Sequence, residues 1–372
     1  MYKRQIEVKY LDIGGGLGVN YGLGYGTTTD SINYTLIEYA RSAVYAVQEV
    51  CDSTNTPHPI ILSESGRALS AHHSVLVVDI LGCHRKEGMD PDFKPGKGDH
   101  AIIREMDEIW RIALADKKQR LPVLLEAYHD AVEKRLQSES LFSFGYLPIE
   151  QKAIAEKLYW SICYTINEKV KQSNAEWLPD ELTHLDDVLI DQYQCDFSVF
   201  QSMLDYWAIG QCFPVMPIHR LDERPDRRAI LVDLTCDSDG KVCTFISPYE
   251  DKDYLEVHDL KNEEAYYLGF FMMGAYQDIM GDMHNLFGRV SEVHVYASEE
   301  EPEGFYIEKV IPGASVEEML AQVQYFPNDL LRRMNKLVRE KVQSGVIQPS
   351  AGYAMLEEYE QIMKETTYFR NT

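Results

Sequence analysis

Four short motifs in the sequence combine residue types that can bind or transform a small molecule. Three consecutive glycines, Gly14, Gly15 and Gly16, follow a strand-like segment. Glycines in such a loop let backbone N–H groups approach an anion closely. Glu64 and Arg67 lie three residues apart after the next short apolar segment. We expect both motifs at the carboxyl ends of parallel strands, where the active sites of α/β barrels form.

The other two motifs lie later in the chain. Cys236 and Asp237 belong to an acidic turn at the end of a predicted strand. Neighbouring acids disfavour a thiolate, so Cys236 suits a proton donor better than a nucleophile. Gly274-Ala-Tyr276 is followed by Asn285-Leu-Phe-Gly288. Tyr276 in this position could be either a hydrogen-bond donor or a core residue.

Each motif also has a purely structural interpretation. The glycines could form only a tight turn between a strand and a helix. Glu64 and Arg67 could form a surface ion pair, and most such pairs contribute little. No single motif is specific, so the interpretation depends on the four together.

The composition limits the classes of function. The chain has 372 residues, with 36 Lys plus Arg against 60 Asp plus Glu, a formal net charge of −24. Such an acidic surface argues against binding nucleic acid or docking on a membrane, because it repels phosphate groups and anionic lipid. The densest apolar run, Leu268 to Tyr276, is much shorter than the roughly 20 residues of a membrane span. Seven cysteines without a CxxC pair indicate a reducing, cytoplasmic compartment.

The first 75 residues predict a βαβ unit. A strand-like segment, Glu7 to Ile13, leads into the glycines. Apolar residues at helical spacing predict a helix from Asp30 to Cys51, with Asp30 or Ser31 as its N-cap. A short strand, Ile60 to Leu62, follows. This order of elements indicates a parallel sheet or barrel.

Beyond residue 84 the pattern changes twice. Helical periodicity over Ala101–Ala115, Leu121–Leu136 and Ile149–Val170 predicts an inserted helical bundle. From Asp196 to Val310, short β-branched segments between turns predict mostly strands, among them Arg228 to Cys236. Helices return after the capping box Ser315-x-x-Glu318.

As a set, the four motifs resemble one family. The sequence is similar to the C-terminal part of the biosynthetic arginine decarboxylases, which are pyridoxal-phosphate enzymes with an alanine-racemase-like barrel. Leu11-Asp-Ile-Gly-Gly-Gly16 matches the phosphate loop of that superfamily, and Glu64-Ser-Gly-Arg67 stands where relatives carry Glu-Pro-Gly-Arg. Cys236-Asp237 and Gly274-Ala-Tyr276 match two later motifs. Longer strings mark the arginine branch: Ser65-Gly-Arg-Ala-Leu-Ser-Ala-His-His73, Phe200-Gln-Ser-Met203, Phe213-Pro-Val-Met-Pro217, Leu234-Thr-Cys-Asp-Ser-Asp-Gly240 and Leu268-Gly-Phe-Phe-Met-Met-Gly-Ala-Tyr-Gln277.

The resemblance implies an α/β plus β fold in four parts. Residues 1–75 would be the last part of a pyridoxal-phosphate-binding, TIM-like barrel. Residues 76–84 and 193–312 would form a β-sandwich or barrel domain, interrupted by a helical-bundle insertion at 85–192. Residues 313–372 would form a C-terminal helical tail.

The resemblance also assigns roles in cofactor binding. The phosphate of pyridoxal phosphate would be held by Gly14, Gly15, Gly16, Gly66 and Arg67, with Tyr276 adding a hydroxyl donor. Glu64 would pair with the pyridine nitrogen, which needs a carboxylate partner to stay protonated. Magnesium is a further ion that the resemblance implies, although the sequence offers no clear set of protein ligands for it.

For the substrate, the resemblance implies decarboxylation of L-arginine to agmatine and CO2 in polyamine biosynthesis. Cys236 would protonate the α-carbon, and Asp237 would face the guanidinium, which prefers a planar carboxylate partner. Asp205 offers a second acidic position. Because Cys236 and Asp237 reach into the partner subunit's site in this superfamily, a homodimer or larger homo-oligomer is implied.

One expected residue is missing. The cofactor-binding lysine of the family lies on an early barrel strand, well before the glycine loop. No lysine of this sequence stands in that context, because Lys3 and Lys9 are too near the start of the chain and on the wrong strand. Two strands also cannot close an eight-stranded barrel. We therefore expect this chain to be a fragment that is inactive alone.

Two alternatives remain open. The chain could belong to a decarboxylase of the ornithine or diaminopimelate type, although the arginine-type strings argue against that. It could also be a non-catalytic homologue that regulates an active enzyme, although such a protein would have no need of Glu64, Cys236 and Asp237.

Overall fold

The computed structural model describes residues 8–22, 31–115, 120–173, 175, 177–247, 251–261 and 264–369. Within them the strands are β1 Tyr10–Asp12, β2 Ile60–Leu62, β3 Ser74–His84, β4 Asp191–Cys195, β5 Val215–Pro217, β6 Arg227–Val232, β7 Lys241–Val242, β8 Leu255–Val257, β9 Tyr267–Met273, β10 Glu292–Ala297 and β11 Phe305–Ile311. The helices are α1 Leu36–Thr54, α2 Gly66–Ser70, α3 Ala101–Leu114, α4 Leu121–Ser143, α5 Ile149–Ser173, α6 Asp180–Thr183, α7 Leu185–Val188, α8 Val199–Ser202, α9 Leu204–Ile209, α10 Gln277–Met280, α11 Val316–Gln322, α12 Pro327–Gln343 and α13 Pro349–Met363, with a 3-10 turn at His284–Leu286.

The chain divides into two compact units. The helical unit comprises Cys83–Gln192 and Arg227–Ile230, and the main unit comprises Met1–Gly82, Tyr193–Asp226 and Leu231–Thr372. None of the helices in the described residues is both long and apolar enough to cross a membrane.

The helical unit is built around α3, α4 and α5. Their apolar faces, including Ile103, Met106 and Ile162, meet in one core, and the Trp110 indole donates a 3.0 Å hydrogen bond to Thr165 Oγ1. Helix α4 continues past its predicted end at residue 136 to Ser143, and the buried Ser138 hydroxyl there donates to the Arg135 carbonyl at 2.7 Å. Trp110 and Tyr159 are both buried in this core and serve packing.

The main unit begins with the predicted strand–loop–helix–strand order. Strands β1 and β2 are parallel, with Tyr10 opposite Ile60. The N-cap of α1 is Thr35, which forms a capping box with Glu38. The predicted cap position Asp30 lies outside the described residues, and Ser31 lies before the helix.

Seven of the described strands form one sheet in the order β5-β9-β3-β4-β6-β7, with β8 beside β6. Strand β9 is antiparallel to both β3 and β5. Its Phe270 is fully buried and lies 5.6 Å from the Phe197 ring, centroid to centroid. Strand β6 ends at Val232 rather than at residue 236, because the Asp233 carboxylate accepts hydrogen bonds from Thr235 and turns the chain.

A hairpin of β10 and β11 and the helices α11 to α13 complete the main unit. The hairpin is antiparallel and mostly exposed. The predicted capping box is present, since Ser315 Oγ accepts from the backbone of Glu318 and the Glu318 carboxylate accepts from Ser315 N–H at 2.8 Å. Helix α11 therefore begins where the capping box predicted a helix start.

Candidate active site

The glycine loop and Glu64 meet at the carboxyl ends of two parallel strands. The backbone of Glu64 donates a 3.0 Å hydrogen bond to Gly14 O, and Ile13 N–H donates to Leu62 O at 3.0 Å. The pairing of β1 with β2 thus extends into the loop and places the Glu64 backbone beside the glycines.

Two of the three glycines need their residue type for backbone reasons. Gly14 and Gly16 have φ values of +79° and +84°, which side chains of L-residues rarely tolerate. At Gly15 a Cβ would lie 3.3 Å from Glu64 O, a tight contact with the backbone. The loop therefore presents bare backbone at this edge of β1 and β2.

Arg67 does not pair with Glu64, as a plain surface ion pair would require. Its Nη2 donates to Asp205 Oδ2 at 2.8 Å, its Nη1 donates to Tyr21 OH at 3.3 Å, and its guanidinium lies 5.1 Å from the centre of the Tyr276 ring. The side chains of Arg67 and Asp205 are 23% and 8% exposed. The arginine is thus held on several sides in a half-buried position.

Burial and the arginine act on the Tyr21 hydroxyl in opposite directions. Burial raises the pKa of Tyr21, and the hydrogen bond with Arg67 opposes that shift without cancelling it. Burial alone would lower the pKa of Arg67, but Tyr21 and Asp205 outweigh it, and the net shift is upward. Both groups therefore stay protonated at neutral pH, and Arg67 remains a fixed cation.

Tyr276 lies beside the same group of residues. A Cβ added to Gly66 would lie 3.8 Å from its hydroxyl oxygen. The backbone of Tyr276 has a φ of +75°, an unusual value for a bulky residue. The structure therefore brings together the glycine loop, Glu64, Gly66, Arg67, Tyr276 and Asp205, which lie far apart in the sequence.

Sequence reasoning missed Tyr21. This residue follows the glycine loop, is 3% exposed, and packs edge-on against Phe213 at 5.6 Å. No periodic pattern covers this stretch, so the tyrosine within it gave no signal of its own.

Cys236 and Asp237 occupy a separate loop, fixed by the buried Asp233. One Asp233 oxygen accepts from Val199 N–H at 2.9 Å, and the other accepts from Thr235 at 2.8 Å. Gly240 closes the loop so tightly that a Cβ there would lie 2.2 Å from Asp233 Oδ1. The loop that bears the Cys-Asp pair is therefore attached both to the end of β6 and to the start of α8.

The side chains of this pair contact the turn at His284–Leu286. Cys236 is exposed, and its sulfur lies 3.7 Å from Asn285 Nδ2. The Asp237 carboxylate lies 3.6 Å from His284 Nε2. His284 is therefore a neighbour of Asp237, and Asn285 is a neighbour of Cys236. Sequence reasoning assigned no role to either neighbour.

Two histidines and two cysteines near these residues lie in local structural contacts. The His73 ring bonds to the carbonyl of Ser70, and the ring of His72 lies 6.2 Å from that of Tyr21. Cys212 is buried, and Cys243 is half-buried. Within the part of the chain that is described, no group of three or more His, Cys, Asp or Glu residues is arranged to hold a metal ion.

The glycine loop, Glu64, Gly66, Arg67 and Tyr276, here called the first group, fit a pyridine ring that bears a phosphate. The bare backbone of Gly14 to Gly16 and the cation of Arg67 suit a phosphate. Glu64 lies beside the same loop, and its carboxylate suits a protonated ring nitrogen. Any side chain at Gly15 would narrow this cradle.

Three family-level sequence patterns match separate parts of the chain. The family described as "Pyridoxal-dependent decarboxylase, pyridoxal binding domain" matches residues 2–71. "Arginine decarboxylase helical bundle domain" matches residues 97–186, and "Arginine decarboxylase C-terminal helical extension" matches residues 316–369.

Curated relatives match almost the whole chain. A biosynthetic arginine decarboxylase of Phocaeicola vulgatus is 43% identical over 363 residues, which are 97% of this chain and 56% of the relative. Biosynthetic arginine decarboxylase 1 of Synechocystis is 40% identical over 98% of this chain and 52% of its own length. The crystal structure of the Campylobacter jejuni biosynthetic arginine decarboxylase superposes with a TM-score of 0.75 and 29% identity, covering 98% of this chain and 57% of that chain. The chain thus spans a little over half the length of the relatives it matches.

Proposed function

Because the chain belongs to the family of biosynthetic arginine decarboxylases, we propose that it forms part of an enzyme that converts L-arginine to agmatine and CO2. One observation carries this proposal. The glycine loop and Glu64 meet at the ends of β1 and β2, and Arg67 follows in the next helix, paired with Asp205, in a chain whose relatives with that name are 40–43% identical to it. Polyamine biosynthesis in the cytoplasm is the setting that we infer for the reaction.

The residues of the first group would bind the cofactor. Pyridoxal phosphate, when bound, supplies an electron-accepting ring for the departure of CO2. Arg67 and the backbone of Gly14 to Gly16 would hold the phosphate, and Tyr276 would add its hydroxyl. Glu64 would hold a proton at the ring nitrogen. Asp205 would keep the Arg67 guanidinium aimed at the phosphate.

Cys236 and Asp237 would act on the substrate. The exposed Cys236 thiol would deliver its proton to the α-carbon after CO2 has left. The Asp237 carboxylate would face the substrate guanidinium, with which it can form charge-assisted hydrogen bonds. Because one oxygen of Asp205 already pairs with Arg67, the role of Asp205 as a second substrate-binding residue stays a prediction, as does a magnesium ion.

We propose that the active site is shared between subunits of a homodimer or larger homo-oligomer. Cys236 is exposed, and the Asp237 side chain is 39% exposed, so both are accessible to a second chain. The hairpin of β10 and β11 exposes Val295, Phe305 and Ile307. A two-stranded hairpin is marginal alone, so its apolar surface favours an interface.

We further propose that the 372 residues alone are inactive. Lys9 accepts a hydrogen bond at the end of β1 opposite the glycine loop, where Ile60 N–H donates to its carbonyl. Its position does not suit covalent binding of the cofactor. Tyr10, Ile60 and Leu62 of the two-stranded sheet are largely exposed, which favours their packing on further barrel strands.

The experiment compares the full-length enzyme, meaning this chain with any adjoining in-frame sequence of its gene, with the 372-residue chain alone. Both are given pyridoxal phosphate and, separately, L-arginine, L-ornithine or meso-diaminopimelate, and the amine products are identified by mass spectrometry. We expect agmatine from L-arginine with the full-length enzyme, and no amine from the chain alone.

Other outcomes would contradict parts of the proposal. Putrescine or lysine as the main product would show a decarboxylase of the ornithine or diaminopimelate type. The absence of any amine from the full-length enzyme would indicate a non-catalytic homologue. Agmatine from the 372 residues alone would overturn the claim of inactivity.

A further inference from the structure

The turn beside the Cys-Asp loop has a strained backbone. Asn285 and Leu286 have φ values of +53° and +64°. Two consecutive residues of this kind are costly unless the surrounding structure holds them. Since His284 faces Asp237 and Asn285 contacts the Cys236 sulfur, whatever holds this turn also fixes the neighbours of both residues.

The turn is held by a strap at the end of the described chain, Thr366–Phe369. Gly288 N–H donates to Thr367 Oγ1 at 3.0 Å, and Tyr368 OH donates to Gly288 O at 2.7 Å. The Tyr368 ring also stacks on Phe287, with 5.4 Å between centroids. Both backbone polar groups of Gly288 are thus bound by two successive residues of the strap.

Helix α11 closes the turn from another side. A Cβ on Gly288 would lie 2.3 Å from Met319 Sδ and 2.5 Å from Ala314 Cβ. Ala314 N–H donates to Arg289 O at 2.7 Å. The turn therefore has little freedom to move while the strap and α11 are in place.

The strap itself is anchored at both ends. Val316 N–H donates to Glu365 O at 2.9 Å, and Phe369 N–H donates to Asp196 Oδ1 at 3.2 Å. Burial, together with the carboxylates of Asp196 and Asp233, raises the pKa of Tyr368. The Tyr368 hydroxyl therefore stays a hydrogen-bond donor at neutral pH.

We propose that the strap positions Cys236 and Asp237, through the turn at 284–288, and that Tyr368 is a positioning residue for proton delivery to the substrate. The inference rests on the proposed function for its catalytic consequence. Its structural part, the control of the Cys236 environment from the C-terminus, is independent of the reaction.

The test uses the full-length enzyme with Tyr368→Phe, Tyr368→Ala and Thr367→Val, and with Tyr353→Phe as the control. Tyr353 is on α13 and 67% exposed, so its hydroxyl should not matter. Two quantities are measured: the rate at which iodoacetamide alkylates Cys236, read by peptide mass spectrometry, and kcat and KM for L-arginine. Burial raises the pKa of Cys163 to about 12 and that of Cys195 still further, so these thiols should react little.

We expect faster alkylation of Cys236 in Tyr368→Phe and Thr367→Val, by about threefold, and a larger increase in Tyr368→Ala. Since small misplacements of catalytic groups are costly, kcat should fall about tenfold in Tyr368→Phe while KM changes less. The control should match the wild type in both measurements. If Tyr368→Ala does not fold, the two milder variants decide.

Unchanged alkylation of Cys236 in the folded variants would overturn the proposal, even with a lower kcat, because the effect would not run through the turn. If the wild type does not decarboxylate arginine, the proposed function fails, but the alkylation rates still decide the structural claim. If alkylation is unchanged while the wild type makes agmatine, only the strap proposal fails.

Discussion

Replacing Cys236 by alanine is expected to lower kcat for L-arginine by about 100-fold, because proton transfer from a positioned side chain typically contributes 10²–10⁴-fold. The thiol is exposed and lies beside Asn285, so its removal should leave the fold intact. KM should change little, since Cys236 would act after the substrate has bound. Steady-state kinetics of the full-length enzyme provide the measurement.

The matched control for this prediction is Cys83→Ala. Cys83 is half-buried at the end of β3 and accepts a hydrogen bond from Arg85 at 3.0 Å. Its loss should cost little in kcat. Equal kcat values for Cys236→Ala and the wild type would remove Cys236 from the reaction, whereas equal losses in both variants would indicate a general effect of losing a thiol.

Asp205→Ala should produce the largest loss of stability. It leaves the Arg67 cation half-buried without its carboxylate partner, and removing one member of a buried pair costs about 3–5 kcal/mol. Arg67 is 23% exposed, so we discount this to about 2 kcal/mol. The affinity for pyridoxal phosphate should also fall, because Arg67 would lose its orientation. Urea unfolding of the enzyme without added cofactor separates the two effects.

Asp329→Ala is the control, because Asp329 pairs with Arg332 on the surface, with side chains 53% and 77% exposed. That change should cost less than about 1 kcal/mol. The double variant Arg67→Met/Asp205→Ala should recover part of the stability lost in Asp205→Ala. A loss in Asp205→Ala no greater than in Asp329→Ala would show that the ion pair does not stabilise this site.

The local parts of the site could be predicted from the sequence. Parallel strands end at one edge of a sheet, so the order of strand, glycine loop, helix and strand was sufficient to bring Gly14 to Gly16 and Glu64 together. The capping box at Ser315 was also predictable, because it depends on two residues that lie only three positions apart in the sequence.

The partners of these residues could not be predicted, because they are distant in the chain. Arg67 meets Asp205 across 138 positions, and Tyr368 meets Gly288 across 80 positions. Side-chain contacts of this range leave no periodic signal in a single sequence. The start of α1 was mispredicted although its signal is local. Thr35 and Glu38 form a capping box that the sequence contains, but the apolar spacing alone favoured an earlier start of the helix.

The relative affinity of the full-length enzyme for pyridoxal phosphate and for pyridoxal tests the central claim most directly. The claim is that Arg67 and the glycine loop hold a phosphate while Glu64 faces the ring. Both compounds carry the same pyridine ring, which Glu64 would face, and only pyridoxal phosphate carries a phosphate at the 5′ position. We predict that pyridoxal phosphate binds at least about 100-fold more tightly, as two charge-assisted hydrogen bonds would provide, with the preference lost in Arg67→Met/Asp205→Ala. Equal dissociation constants for the two compounds in the wild type would contradict the account.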